Sequence, residues 1–478
     1  MPDTEHVSPH SIRAAFSSAM SEMYQREVPA YGTLMDLVGS VNRRTLEEDV
    51  ELGNRLKATG NLDRISAERH GAIRLGTADE LAMMRRVFAV MGMHPVGYYD
   101  LSGAGVPVHS TAFRPVDAQA LQVSPFRVFT SLLRLELIAD IAMRQQASAV
   151  LQQRNIFSGR VIELIKAAER DGGLSVEDAN SFVSEVLEIF RWHQKALVTA
   201  DLYKRLCDAH PLLADVVSFK GPHINHLTPR TLDIDEVQSR MPACGINPKA
   251  FVEGPPTRNC PILLRQTSFK ALEERVAFRD EQGGWKAGFH TARFGEVEQR
   301  GVALTPKGRE LYDELLARTR KAIQPAGDGS NSTEYMNALS ESFKEFPDTW
   351  ETIRATGLGY FSYSLTDLQH RMRGLLDFDV EALLHAGVLQ YDPIVYEDFL
   401  PISAAGIFQS NLGGEAQQEV SLRPNQLSLE ADLGGLVLNE FEYYEKIQAE
   451  SLEKCKLLLL EETAGKTRAL ERSGLASS

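Results

Sequence analysis

One faint internal repeat constrains this chain more than any other feature. His70 is followed by Arg74 at +4, Thr77 at +7, Glu80 at +10 and Leu81 at +11, and His226 is followed by Arg230, Asp233, Glu236 and Val237 at the same offsets. Self-similarity of this kind marks a fold assembled from copies of one unit. Thr77-x-x-Glu80 and Asp233-x-x-Glu236 are both helix starts, in which a side-chain oxygen accepts from first-turn amides and an acid faces the positive end of the helix. Each His-x-x-x-Arg segment then reads as a strand feeding a helix. A glycine, Gly92 or Gly245, and further strand-like stretches follow each helix. The repeat predicts two βαβββ units.

The 478 residues leave room around those units for other elements. An N-terminal helical segment is expected over 1–60, with Ser8 as N-cap, Pro9 in the first helical position, and Ile12, Phe16, Met20 and Met23 on one face. The first βαβββ-like unit is expected over 61–120, where HGAIRLG and HPVGYYDL are strands and SGAG at 102–105 is a turn. A helical insertion is expected over 121–214, carried by Val128, Leu132, Leu135 and Ile138, then Val161, Leu164 and Ile165, then Val183, Leu187 and Phe190, with Ser175 capping the last helix. The second unit is expected over 215–304. Residues 305–478 read as a mostly helical C-terminal lobe. It begins at Thr305-Pro306, crosses the linker-like PAGDGSNST at 325–333 and the strand-like LQYDPIVYEDFLPIS, and closes on an amphipathic helix bearing Phe441, Tyr444 and Ile447. The fold class is α+β: two units forming one curved sheet around a shared cavity, with large helical insertions and an accessory lobe.

Composition narrows the partners. Net charge is −14, from 51 Lys+Arg against 65 Asp+Glu, so phosphate backbones and anionic lipid surfaces find little to bind. The chain is expected to bind neither nucleic acid nor membrane. Four scattered cysteines (Cys207, Cys244, Cys260, Cys455) form no CxxC and argue against a disulfide framework or structural zinc. MPDTEHVSPHS has no apolar run of the secretory type, and Leu457–Leu460 falls far short of the roughly 20 residues of a spanning helix. A cytoplasmic location is expected.

Strand parity supplies the chemistry. His70, Ala72 and Arg74 share one face of their strand, and in WKAGFHTARFGEVEQRG the residues Phe294, Glu296 and Glu298 share one face of theirs. Two units curled around one cavity bring His70, His226 and one of these glutamates together. Two histidines and a carboxylate are the facial set of mononuclear non-haem iron, with positions left open for substrate and dioxygen. His223, three residues before His226, lies on the opposite face by parity and is read as structural, while His109 and His290, in strand-like segments, remain rival ligands with structural roles favoured. Arg74 offers a planar fork suited to a carboxylate in the cavity.

HGAIRLG, GPHINHLTPRTLDIDEV, LLRQTSFKALEE, RFGEVEQRGVALTPKG and LPISAAGIFQSNL resemble the bacterial 2-oxoadipate dioxygenase/decarboxylase family, also called hydroxyglutarate synthase, over nearly the whole chain. The resemblance implies a vicinal-oxygen-chelate-like scaffold and conversion of 2-oxoadipate and O2 to D-2-hydroxyglutarate and CO2 in lysine catabolism. It also implies iron(II) as cofactor, with His70, His226 and Glu296 as ligands. EVEQR resembles the EIIQR-like ending of related dioxygenases, which favours the first glutamate. Arg74 corresponds to the arginine for the substrate carboxylate, and Ile402 and Ser403 to residues of a substrate loop near 400–412. The alternatives on the same scaffold are a glyoxalase-like isomerase, an extradiol-type dioxygenase, or a non-catalytic metal- or ligand-binding module.

Overall fold

A computed structural model describes residues 6–326, 329–367, 378–400 and 425–474, with side chains as far as Leu460. The first helix, Pro9–Glu27, starts where expected: the Ser8 hydroxyl accepts from Ser11 N–H at 3.1 Å, and Ile12, Phe16, Met20 and Met23 are buried. A second helix, Pro29–Glu48, buries Tyr31, Leu34, Leu37, Val38 and Val41. Both helices pack on one face of a large sheet, against Ile73, Leu75, Val128, Leu132, Leu227 and Val297.

The first unit contributes β1 (Arg69–Leu75), β2 (His94–Asp100), β3 (Val108–Arg114) and β4 (Arg127–Leu133). Between β1 and β2 lies the helix Ala78–Val90, capped by Thr77, whose hydroxyl accepts from Glu80 N–H. A short helical turn, Ser102–Ala104, separates β2 from β3. The insertion adds β5 (Lys195–Thr199). The second unit contributes β6 (His226–Pro229), the helix Ile234–Arg240 capped by Asp233, then β7 (Leu264–Ser268), β8 (Leu272–Arg279) and β9 (Trp285–Arg300).

Together these make a nine-stranded sheet in the order β2-β3-β4-β1-β6-β9-β8-β5, with β7 on the far part of β9. In each unit the first and last strands are parallel, β1 with β4 and β6 with β9. The two units meet through the antiparallel pair β1/β6. Besides β6, the long β9 pairs with β8 over Trp285–Arg293 and with β7 over Glu296–Arg300. Gly295 permits this: a Cβ there would fall 2.2 Å from the Phe269 ring.

One expectation is overturned. Residues from Val128 were expected to be helical, but 127–133 form β4, the last strand of the first unit, which therefore runs past residue 120. The i, i+4 spacing of Val128 and Leu132 fits a helix and one face of a strand equally, and β4 is buried on both faces, so no alternation betrays it. The insertion is not wholly helical either, because β5 pairs with β8 at the sheet edge.

Beyond the second unit, Thr305 caps the helix Pro306–Ala322, and a further helix spans Ser332–Ser342. Tyr312 and Leu315 of the first share a core with Tyr335 and Leu339 of the second. β10 (Phe361–Leu365) and β11 (Leu389–Pro393) form a separate antiparallel pair. The closing helix Glu440–Gly474 docks on it through Gln448, which accepts from Phe361 N–H at 2.9 Å. Among the described residues no helix is long and apolar enough to cross a membrane.

Candidate metal centre

Three adjacent strands place the candidate ligands. His70 on β1 lies opposite Thr228, and Ala72 opposite His226, so both histidines project from the same face of the β1/β6 pair. On the other side of β6, His226 aligns with Phe294, and Glu296 follows one alternation later. Glu296 Oε2 lies 3.1 Å from His70 Nε2 and 3.6 Å from His226 Nε2. The ligand atoms of His70, His226 and Glu296 all lie within 4.8 Å of one another, and all three residues are buried.

The state of these groups suits a metal ion. Neither nitrogen of His226 has a hydrogen-bond partner although the ring is buried. Burial pushes His226 down to about 3, so the imidazole is neutral and its lone pair free. Leaving such a group unsatisfied in the interior is costly, and a cation at the centre of the three residues removes the cost. Burial raises the carboxyl of Glu296, but His226 and His70 more than offset it, and the net direction is down. Thr228 Oγ1 and Gln266 Nε2 each donate to Glu296 Oε2 at 3.0 Å, which fixes the carboxylate's orientation.

Behind His70 lies a buried network of charge. His70 Nδ1 is 3.0 Å from Glu298 Oε2, and Arg300 holds both oxygens of Glu298 at 2.8 Å. Glu68, next but one to His70, accepts from Arg127 at 2.6 Å and from Arg230 at 3.0 Å. Glu397 accepts from Arg64 at 2.7 and 2.6 Å and also from Arg127. Burial alone would raise Glu298, but Arg300 first, then His70 and Arg127, keep it ionised. Phe399 closes this side, edge-on to His70 with ring centroids 4.9 Å apart, and packs on Phe129.

Arg74 points to a different set of partners. It donates to Asp215 of the helix Pro211–Ser218, and Asp215 also lies 2.8 Å from His290 Nε2 and 3.2 Å from His223 Nε2. Asp215, His223 and His290 form a second buried group whose ligand-type atoms lie within 4.8 Å of one another. Arg230, the repeat mate of Arg74, is engaged by Glu68 instead.

A family model described as 2-oxoadipate dioxygenase/decarboxylase matches residues 16–411. The chain belongs to this family. A 2-oxoadipate dioxygenase/decarboxylase of Pseudomonas putida is 57% identical over 457 residues, covering 95% of this chain and 98% of its own length. One of Escherichia coli is 53% identical over 454 residues, covering 95% and 99%. The crystal structure of a hydroxyglutarate synthase from Pseudomonas putida in complex with 2-oxoadipate superposes with a TM-score of 0.88 at 56% identity, covering 95% of this chain and 99% of that one.

Within this 2-oxoadipate dioxygenase/decarboxylase fold, the sequence-derived residues sort as follows. His70, His226 and Glu296 converge, and Glu298 stands one step behind, on the far edge of the His70 ring. Arg74 lies near enough for its charge to act on His226. Ile402 and Ser403, with most of the loop expected near 400–412, lie outside the described residues. Sequence reasoning missed Asp215, Glu68, Arg127, Arg300 and Glu397. The available signal was charged residues at the starts of otherwise apolar strands, as in Glu68-Arg69-His70 just before and at the start of β1 and Arg127-Val128-Phe129 opening β4.

Proposed function

We propose that this chain is an iron(II)-dependent dioxygenase that converts 2-oxoadipate and O2 to D-2-hydroxyglutarate and CO2. The observation that carries the reading is the convergence of His70, His226 and Glu296 in a member of the 2-oxoadipate dioxygenase/decarboxylase family. His70, His226 and Glu296 would hold the ion through two imidazole nitrogens and one carboxylate oxygen, a donor set suited to ferrous iron in dioxygen chemistry. When bound, the ion supplies Lewis acidity and the redox chemistry with dioxygen.

The chain's own residues bind and orient. Arg74, one alternation beyond Ala72 on the ligand face of β1, is assigned to the distal carboxylate, so that the carbon next to the keto group faces the reacting oxygen. Ile402 and Ser403 are assigned to the substrate on the segment following Phe399. Phe129 and Phe399 wall one side of His70 and exclude water there. The overall reaction balances: loss of C1 as CO2 supplies two electrons, hydroxylation of the adjacent carbon supplies two more, and both atoms of O2 remain in the products.

The test is an anaerobic incubation of enzyme, ferrous iron and 2-oxoadipate followed by admission of air. No turnover is expected before oxygen, and equal amounts of O2 consumed, CO2 released and 2-hydroxyglutarate formed after it. Oxygen-independent turnover, or none under air, refutes the reading.

A further inference from the structure

The group formed by Asp215, His223 and His290 has no part in the chemistry above. Two histidines and a carboxylate would also suit a second metal ion, but the surroundings differ from those of the first centre. Both nitrogens of His226 lack partners, whereas here the atoms that face one another are engaged. Asp215 Oδ1 is met by His290 Nε2 at 2.8 Å and by His223 Nε2 at 3.2 Å, and Asn225 Nδ2 lies 3.2 Å from His223 Nε2. A fixed guanidinium, that of Arg74, already satisfies the other oxygen of Asp215.

The group is built to hold still. His290 Nδ1 is 2.8 Å from the Tyr203 hydroxyl. Trp192 stacks on the His290 ring at an interplanar angle of 8° and meets His223 edge-on. Burial raises the Asp215 carboxyl, but His223 and Arg74 overcome it, so a carboxylate stands beside the guanidinium. An arginine side chain has many rotamers, and anchoring one edge of its rigid fork fixes the direction of the whole planar group.

We infer that Asp215, braced by His290 and His223, is the positioning residue for Arg74, and that this cradle between the helix Pro211–Ser218 and β9 sets the enzyme's selection for a 2-oxo acid with a second carboxylate. The inference rests on the reading of Arg74 given above.

A double-mutant cycle tests it, with Arg74→Ala, Asp215→Ala and their combination assayed on 2-oxoadipate and on a monocarboxylic 2-oxo acid of equal length. Asp215→Ala should raise KM for 2-oxoadipate by about tenfold or more while kcat stays within about threefold, and the monocarboxylic acid should be unaffected. The double variant should be no worse than Arg74→Ala, because the two residues act as one unit. Asp215→Asn, which keeps the shape and an acceptor, should fall between, and it carries the test if the alanine variant does not fold. Additive losses, or equal losses on both substrates from Asp215→Ala, would overturn the inference. So would a second equivalent of metal in the native enzyme that disappears in His290→Ala. If Arg74→Ala itself treats both substrates alike, the carboxylate reading fails and the inference falls with it.

Discussion

His70 is held between two glutamates, with Nε2 3.1 Å from Glu296 and Nδ1 3.0 Å from Glu298 on opposite edges of one ring. The two carboxylates are therefore not interchangeable. Glu296 also faces His226, whereas Glu298 sits against the far edge of the His70 ring and bears on the site through that ring.

From this asymmetry, His70→Ala, His226→Ala and Glu296→Ala should each abolish turnover and lose bound iron. Glu298→Gln should weaken iron binding by about 10- to 100-fold yet remain loaded when iron is in excess. Metal analysis of the purified variants decides the matter. An iron-replete Glu296→Ala alongside an iron-free Glu298→Gln would reverse the roles.

Arg74→Ala should keep the fold and the iron but lose kcat/KM for 2-oxoadipate by about 2–5 kcal/mol, the usual cost of truncating one partner of a buried charged contact. The loss should appear mainly in KM. Steady-state kinetics beside a metal assay checks both halves, and unchanged kinetics would remove Arg74 from the substrate site.

Acid stability should depend on Glu397. Burial raises its carboxyl, but Arg64 and Arg127 bring it from 4.5 to about 2. As pH falls below 4.5 the unfolded chain takes up a proton that the folded chain refuses, so this contribution is complete above 4.5 and is lost on the way down to about 2. Glu397→Gln should be less stable at neutral pH by about 3–5 kcal/mol, because two buried guanidinium groups lose a shared partner. Its stability should also fall less steeply with acid. Urea unfolding at a series of pH values measures both, and parallel curves for the two proteins would contradict the expectation.

Labelled dioxygen tests the reaction class. With ¹⁸O2, one label should enter the new carboxylate and one, less any exchange with water, the 2-hydroxyl. Mass analysis showing label in the carboxylate alone, with glutarate released, would mean that decarboxylation proceeds while the C–H bond is not held in position.

What could be read from the sequence was local. The caps at Ser8, Thr77, Asp233 and Thr305 follow from side chains one turn from their amides, and the shared face of Glu296 and Glu298 follows from parity. β4 escaped because a spacing of four satisfies both periods in a strand buried on both sides. The charged network escaped for a different reason. Arg64 meets Glu397 across 333 residues and Arg74 meets Asp215 across 141, and no pattern within one segment announces such pairs. The repeat itself hid the difference between its arginines, since Arg74 and Arg230 occupy matching positions but serve Asp215 and Glu68 respectively.

The antiparallel seam between β1 and β6 also has a consequence for biosynthesis. His70 and Glu296 are 226 residues apart, so a nascent chain exposes its first histidine long before the carboxylate that completes the set has been made. At bacterial and eukaryotic elongation rates of about 5–20 residues per second, that interval is roughly 10–45 s. A metal ion held by this set can thus be bound only by chains that have emerged beyond β9, and a ribosome-bound fragment ending before it should fail to retain one.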